Sequence, residues 1–245
     1  MKEPVETLLF DFGGTLDANG VAWKERFYAL YRAEGLDMAA DVFESSFFAA
    51  DDSLVERLPP ATDLAGTVHA LVAGLEAELA RGDAGADKAA NVNGRRNRDR
   101  SVRVASRFLS EASATFARNR PALEALRERY RLGIVSNFYG NLEGVCRSAG
   151  LASLFAVLVD SHCVGAEKPD PAIFRVALEA LRARPETTVF VGDSLRRDRE
   201  GARRMGMRFF WMVPQGAEAA ESRAAAEPPV EHAVTDLRDL MKILT

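Results

Sequence analysis

The sequence predicts an α/β fold, with a Rossmann-like three-layer core built on a parallel sheet and an inserted all-helical domain. Three observations predict it. From residue 121 onward, short apolar runs alternate with helix-length amphipathic stretches, the pattern of parallel strands with helices on both faces. Residues 18–116 carry helical periodicity and no strand pattern, so they read as an insertion into that alternation. The apolar runs end in polar residues, where open α/β sheets bind their ligands. The expected division is a core of residues 1–17 and 117–245 and a helical domain of residues 18–116.

Composition bounds the function. The chain has 245 residues, 47% hydrophobic, enough for a sizeable core. A net charge of −4 argues against a dedicated nucleic-acid binder. Cys146 and Cys163 have no metal-ligand spacing and read as reduced thiols, with a chance disulfide left open. Met1-Lys2-Glu3-Pro4 lacks the basic and apolar regions of a signal peptide, and no apolar stretch would span a bilayer. The expectation is a soluble cytoplasmic protein with no membrane partner.

The first strand is Leu8-Leu9-Phe10, an unbroken apolar run that stops at Asp11. Gly13 and Gly14 follow, where the backbone turns tightly and approaches a ligand closely. Trp23, Phe27, Leu30 and Tyr31 then fall at helical spacing. A second helix is expected near Val42–Leu58, stopped by Pro59-Pro60. A third starts near Thr62-Asp63, with Leu64, Val68, Leu71, Val72, Leu75 and Leu79 on one face. His69 reads as a partly buried packing residue there. Gly82–Ser101 breaks the periodicity and reads as a long loop. Its cluster of Arg95, Arg96, Arg98 and Arg100, with Arg103 beyond, has no interleaved aromatics and reads as solvated. Helix returns from Val102 to about Arg118, and Pro121 suits the first position of a new helix. Strands are then expected at 132–135, 155–159, 188–191 and 209–212, with helices at 142–149, 171–182, 198–205 and 236–244 between and after them.

Four strand ends carry chemistry: Asp11 with Thr15, Ser136 with Asn137, the loop ending in Lys168, and Asp193 with Asp198. Right-handed crossovers place the C-terminal ends of parallel strands on one edge, so these residues converge. Asp11 and Asp193 suit a shared hard cation, and Mg2+ fits a carboxylate-and-water site. Lys168, Ser136 and turn amides suit phosphoryl oxygens, leaving one Asp free to attack phosphorus. Singly, each residue also has a plain reading, such as Asp198 capping a helix or Lys168 at the surface.

Four stretches resemble the haloacid dehalogenase-like hydrolase superfamily, in the branch with a helical cap inserted after the first motif. They are Asp11-Phe12-Gly13-Gly14-Thr15-Leu16, Val135-Ser136-Asn137, Gly165–Phe174 with Lys168, and Val191-Gly192-Asp193-Ser194 followed by Asp198. The resemblance implies Asp11 as nucleophile and Mg2+ ligand, and Thr15 and Ser136 as hydrogen-bond donors to the transferring phosphoryl group. It implies Lys168 as the neutralising cation, Asp193 as a Mg2+ ligand and Asp198 as a direct or water-mediated one. Gly13 would lend its carbonyl to the metal, and Gly13, Gly14 and Asn137 would contact substrate. The implied substrate is a small phosphorylated metabolite.

One position departs from the pattern. Phosphatases of this superfamily usually carry a second Asp two residues after the nucleophile, as general acid and base. Here Gly13 stands there, and such catalysis is worth about 10²–10⁴-fold. Asp17 is the nearest downstream carboxylate. Three readings stay open: a Mg2+-dependent phosphatase or phosphotransferase, a dehalogenase or phosphonate-cleaving relative, and a catalytically silent phospho-ligand binder or partner protein.

Overall fold

In the computed structural model, residues 3–55, 57–82, 90–216 and 232–244 are described. The sheet has six strands, β1 (Thr7–Phe10), β2 (Arg131–Ser136), β3 (Val157–Asp160), β4 (Thr188–Gly192), β5 (Arg208–Met212) and β6 (His232–Val234). Their spatial order is β3-β2-β1-β4-β5-β6, and every pairing is parallel. The central strand β1 is buried along its whole length, which explains its unbroken apolar run. Its register pairs Phe10 with Ile134 on one side and Val191 on the other. Asp11, one residue on, therefore emerges between the ends of β2 and β4.

Four helices lie between β1 and β2: α1 (Trp23–Ala33), α2 (Ala40–Asp52), α3 (Leu64–Gly82) and α4 (Ala90–Arg127). Apolar faces of α1, α2 and α3 are buried as the spacing requires, with Phe27, Phe43, Val68 and Leu71 each at most 1% exposed. His69 is exposed rather than partly buried, because the neighbouring Val68, Leu71 and Val72 take the inward face. A run of aromatic contacts joins these helices to the sheet edge. Phe27 stacks on Phe108 at 4.4 Å, Trp23 meets Phe108 at 5.1 Å and Phe138 at 5.9 Å, and Phe138 meets Phe12 at 5.7 Å.

α4 corrects two expectations. Residues 90–101 are helical rather than loop, while 83–89 and the side chains of Arg95 and Arg96 lie outside the described residues. Arginine is a good helix former, and two of the expected solvated arginines have acidic partners. Arg100 makes a bidentate contact with Glu76 on α3 at 2.7 and 3.1 Å, and Arg103 reaches Glu34 after α1 at 2.6 Å. The helix also continues through Pro121 instead of restarting there. A proline inside a helix costs about 3 kcal/mol, but Phe116, Ala122, Leu123 and Leu126 are buried on both sides of it. Asn119 adds a clamp, donating to Leu16 O at 3.1 Å and to Asn19 Oδ1 at 2.8 Å. The expected domain boundary at 116/117 thus falls inside one 38-residue helix.

After β2 the chain alternates as predicted, through α5 (Leu142–Ser148), α6 (Ser161–Val164), α7 (Pro171–Leu181), α8 (Glu200–Met205) and α9 (Leu237–Ile243). Before α8, residues Leu195–Arg199 form a π turn where the sequence predicted ordinary helix from Asp198. Both cysteines are free, Cys146 buried and Cys163 exposed. Among the described residues no helix is long and apolar enough to cross a membrane.

Candidate active site

The C-terminal ends of β1, β2 and β4 bring four side chains into contact. Asp11 Oδ1 accepts from its neighbour Phe12 N at 2.7 Å and from Ser136 Oγ at 2.9 Å, and pairs with Lys168 Nζ at 2.7 Å. Its Oδ2 takes no hydrogen bond among the described residues. Lys168 Nζ also lies 2.7 Å from Asp198 Oδ1, with the lysine 4% exposed and Asp198 fully buried. Lys168 is therefore no surface residue. Burial alone would push its ammonium down, but Asp11 and Asp198 more than offset this and hold it charged.

Local backbone explains how each group arrives. The wide turn of Leu195–Arg199 swings Asp198 back under β4, where Asp198 Oδ2 accepts from Ser194 N at 2.9 Å. Asn137 grips the lysine loop by its backbone, donating to Lys168 O at 3.2 Å and accepting from Lys168 N at 2.7 Å. Both ends of its amide are thus committed to positioning Lys168, although Asn137 was expected to contact substrate. Thr15, expected at the phosphoryl group, donates instead to Asp193 Oδ1 at 2.9 Å and is fully buried. Gly14 N–H, expected at the substrate, donates to Asp17 Oδ1 at 2.7 Å.

Gly14 has a second role that only glycine fills. Its φ is +89°, and a β-carbon there would lie 2.6 Å from Asp193 Oδ2. We expect Gly14→Ala to push Asp193 aside and to weaken divalent-cation affinity at least about tenfold, equivalent to ~1.4 kcal/mol, as read by calorimetric titration. Unchanged affinity would show that Asp193 has no part in such a site.

Carboxylate oxygens of Asp11, Asp193 and Asp198 all lie within 4.8 Å of one another. Burial pushes Asp193 well above the usual carboxylate range, and the neighbouring charges of Asp11 and Asp198 add to it. Asp198 is pushed up to about 6 by burial, with the attraction of Lys168 working against the rise and Asp11 adding to it. Three close carboxylates against one ammonium leave unbalanced negative charge, and all offer hard oxygen ligands. The donor set fits a Mg2+-type cation.

A cavity of about 340 Å³ opens over this cluster. Asp11, Gly13, Ser136, Lys168 and Asp193 line it, as do residues of α1 and α2, among them Trp23, Phe48 and Asp51. Trp23, read from sequence as packing alone, is also a cavity wall. Asp51 and Tyr139 also line the cavity and carry no sequence signal that would place them there. Tyr139 stands two residues after Asn137, but nothing in the spacing ties it to a residue 88 positions earlier.

Asp17 does not replace the missing acid. It is fully buried and accepts from Gly14 N, Trp23 Nε1 and Arg26 Nη1, each at 2.7 Å. Burial still pushes its carboxyl up against the attraction of Arg26. It does not line the cavity over Asp11.

The comparisons with known proteins agree with this geometry. The family model for haloacid dehalogenase-like hydrolases matches residues 5–206. The mouse (Mus musculus) haloacid dehalogenase-like hydrolase domain-containing protein 3 is 36% identical over 123 residues, covering 50% of this chain and 48% of that protein. A phosphoserine phosphatase from Thermus thermophilus is 36% identical over 105 residues, covering 42% of each chain. The chain thus aligns with about half the length of these relatives. Among solved structures, a 2-haloacid dehalogenase from Pseudomonas syringae shares the fold with a TM-score of 0.53, at 23% identity over 98% of both chains. A six-stranded parallel sheet, the four motif side chains at one edge of it and the family match over residues 5–206 together make this chain a member of the haloacid dehalogenase-like hydrolases.

Proposed function

We propose that this hydrolase is a phosphatase, cleaving small phosphate monoesters through a phosphoryl group carried on Asp11. The observation that carries this reading is the asymmetry of the Asp11 carboxylate. Oδ1 is held by three donors, while Oδ2 is free of hydrogen bonds among the described residues. A fixed carboxylate with one unengaged oxygen on a cavity wall is a preorganised nucleophile. The phosphatase name of a relative 36% identical over 42% of the chain supports the same chemistry.

Roles follow from position. Asp11 Oδ2 attacks phosphorus, and the Lys168 ammonium balances charge on nucleophile and phosphoryl oxygens. Ser136 fixes Asp11 and lines the same cavity. Thr15 fixes Asp193. Asp11, Asp193 and Asp198 would hold Mg2+, with the Gly13 carbonyl as an additional ligand. When bound, that ion would supply positive charge against the phosphoryl oxygens. A volume of about 340 Å³ suits a small phosphorylated metabolite.

The test is hydrolysis of an aryl phosphate by the full chain, with Mg2+ and with a chelator. The expected result is turnover that the chelator removes and Mg2+ restores. Metal-independent halide release from a 2-haloacid, with no phosphate release, would overturn the reading.

A further inference from the structure

Phosphate ester cleavage needs a proton for the leaving oxygen, and position 13, two residues after Asp11, has none to offer. Gly13 has no side chain, and a β-carbon there would come within 3.3 Å of Trp23 Nε1. Asp17 is caged elsewhere. The lining contributed by the inserted helices carries another carboxylate. Asp51 stands in the last turn of α2, partly buried, and Tyr139 Oη donates a hydrogen bond to its Oδ1. Both residues line the cavity that Asp11, Lys168 and Asp193 line. Asp51 Oδ2 takes no hydrogen bond among the described residues.

The geometry points to Asp51 as the proton donor and acceptor of this site, with Tyr139 as its positioning residue. This rests on the phosphatase reading above. In the first step Asp11 Oδ2 bonds to phosphorus as the ester P–O bond breaks. The Asp51 carboxyl gives its proton to the departing oxygen, which leaves as a neutral alcohol. In the second step a water oxygen bonds to phosphorus, Asp51 carboxylate takes its proton, and the Asp11–phosphorus link breaks. Inorganic phosphate leaves, and both aspartates return to their starting states.

The surroundings suit a group that must hold a proton and then release it. Burial raises the Asp51 pKa, the Tyr139 hydrogen bond lowers it, the charge of Asp52 raises it, Arg197 lowers it and Glu167 raises it, with a net rise. Tyr139 itself is pushed well above its usual range by burial and by the Asp51 charge, so it stays a donor. One oxygen of Asp51 is thereby fixed and the other is left for substrate. The same bond ties α2 to the β2–α5 loop.

The experiment compares wild type, Asp51→Asn and Tyr139→Phe on two esters with Mg2+. One is an alkyl phosphate, whose leaving oxygen needs a proton, and the other is dinitrophenyl phosphate, whose leaving oxygen does not. The readout is kcat/KM, which reports transfer to Asp11. Asp51→Asn is expected to lose at least about 100-fold on the alkyl ester and less than about threefold on the dinitrophenyl ester. Tyr139→Phe is expected to move the alkaline limb of the alkyl-ester profile to higher pH, since a bond that stabilises the Asp51 carboxylate is gone. Equal losses on both esters, or none on the alkyl ester, would overturn the role of Asp51. An unmoved limb would overturn that of Tyr139. Wild type that turns over neither ester would overturn the phosphatase reading itself, and the proton-transfer role with it.

Discussion

Replacing Asp11 by asparagine is expected to lower phosphate ester hydrolysis by a factor on the order of 10⁴–10⁶, the scale of losing a covalent nucleophile. The amide is nearly isosteric, so packing at the end of β1 is unchanged. Its oxygen can still accept from Phe12 N and Ser136 Oγ, the bonds that fix Asp11 now. What is lost is the charged, unengaged oxygen. Lys168 keeps its second partner, Asp198, at 2.7 Å, and one of three crowded carboxylates is neutralised. The variant should therefore be at least as stable as wild type in metal-free buffer. Activity and stability move in opposite directions, which separates this loss from simple misfolding. A variant that kept a tenth of its activity would rule Asp11 out as nucleophile. Urea titration at neutral pH reads the stability half.

Lys168→Met is the second large effect, and it acts on both quantities downward. The lysine is 4% exposed and touches two aspartates. Removing one partner from a buried ion cluster costs about 3–5 kcal/mol, because the charges left behind have no compensation. The pH dependence has a definite sign. Asp193 and Asp198 have folded-state pKa values above the ordinary 3.8, about 6 for Asp198. The folded state therefore binds protons more tightly than the unfolded chain. Stability from this source is fully present below pH 3.8 and is lost as pH rises through the folded values. Metal-free wild type should thus weaken as pH rises from about 4 through the Asp198 value of about 6, and Lys168→Met should weaken further over the same rise. Added Mg2+ should restore much of the loss at neutral pH, as ligands that bind only the folded state do. Thermal unfolding at pH 5 and pH 7.5, with and without Mg2+, measures this. A variant equally stable at both pH values would contradict the cluster's electrostatics.

Much of this molecule was legible in its sequence, and the reasons are local. Buried parallel strands leave unbroken apolar runs, so β1, β2, β4 and β5 were found within a residue or two. Asp11, Ser136, Lys168 and Asp193 come together at one sheet edge, and each follows such a run or sits in a recognisable turn. The long helix α4 was misread because its apolar spacing lapses between 82 and 101, where Arg100 and Arg103 hold it by ion pairs with Glu76 and Glu34 instead. Charge pairs across helices leave no periodic trace. Pro121 was misread because local chemistry favours a helix start there, while burial on both sides carried the helix through. Asn137 and Thr15 were placed at the right edge but against protein partners, Lys168 and Asp193. Asp51 and Tyr139 were invisible for a different reason. They meet only after the inserted helices fold back over the sheet, and neither lies in a motif.

The central claim is that a phosphoryl group passes through Asp11. The most direct measurement is to mix the full chain with Mg2+ and a phosphate monoester labelled on phosphorus, quench with acid in the first turnover, and map the label by peptide mass spectrometry. The account predicts label on the peptide that contains Asp11 in wild type and none in Asp11→Asn. Phosphate release from wild type with the label never on Asp11, or undiminished release from Asp11→Asn, would contradict it.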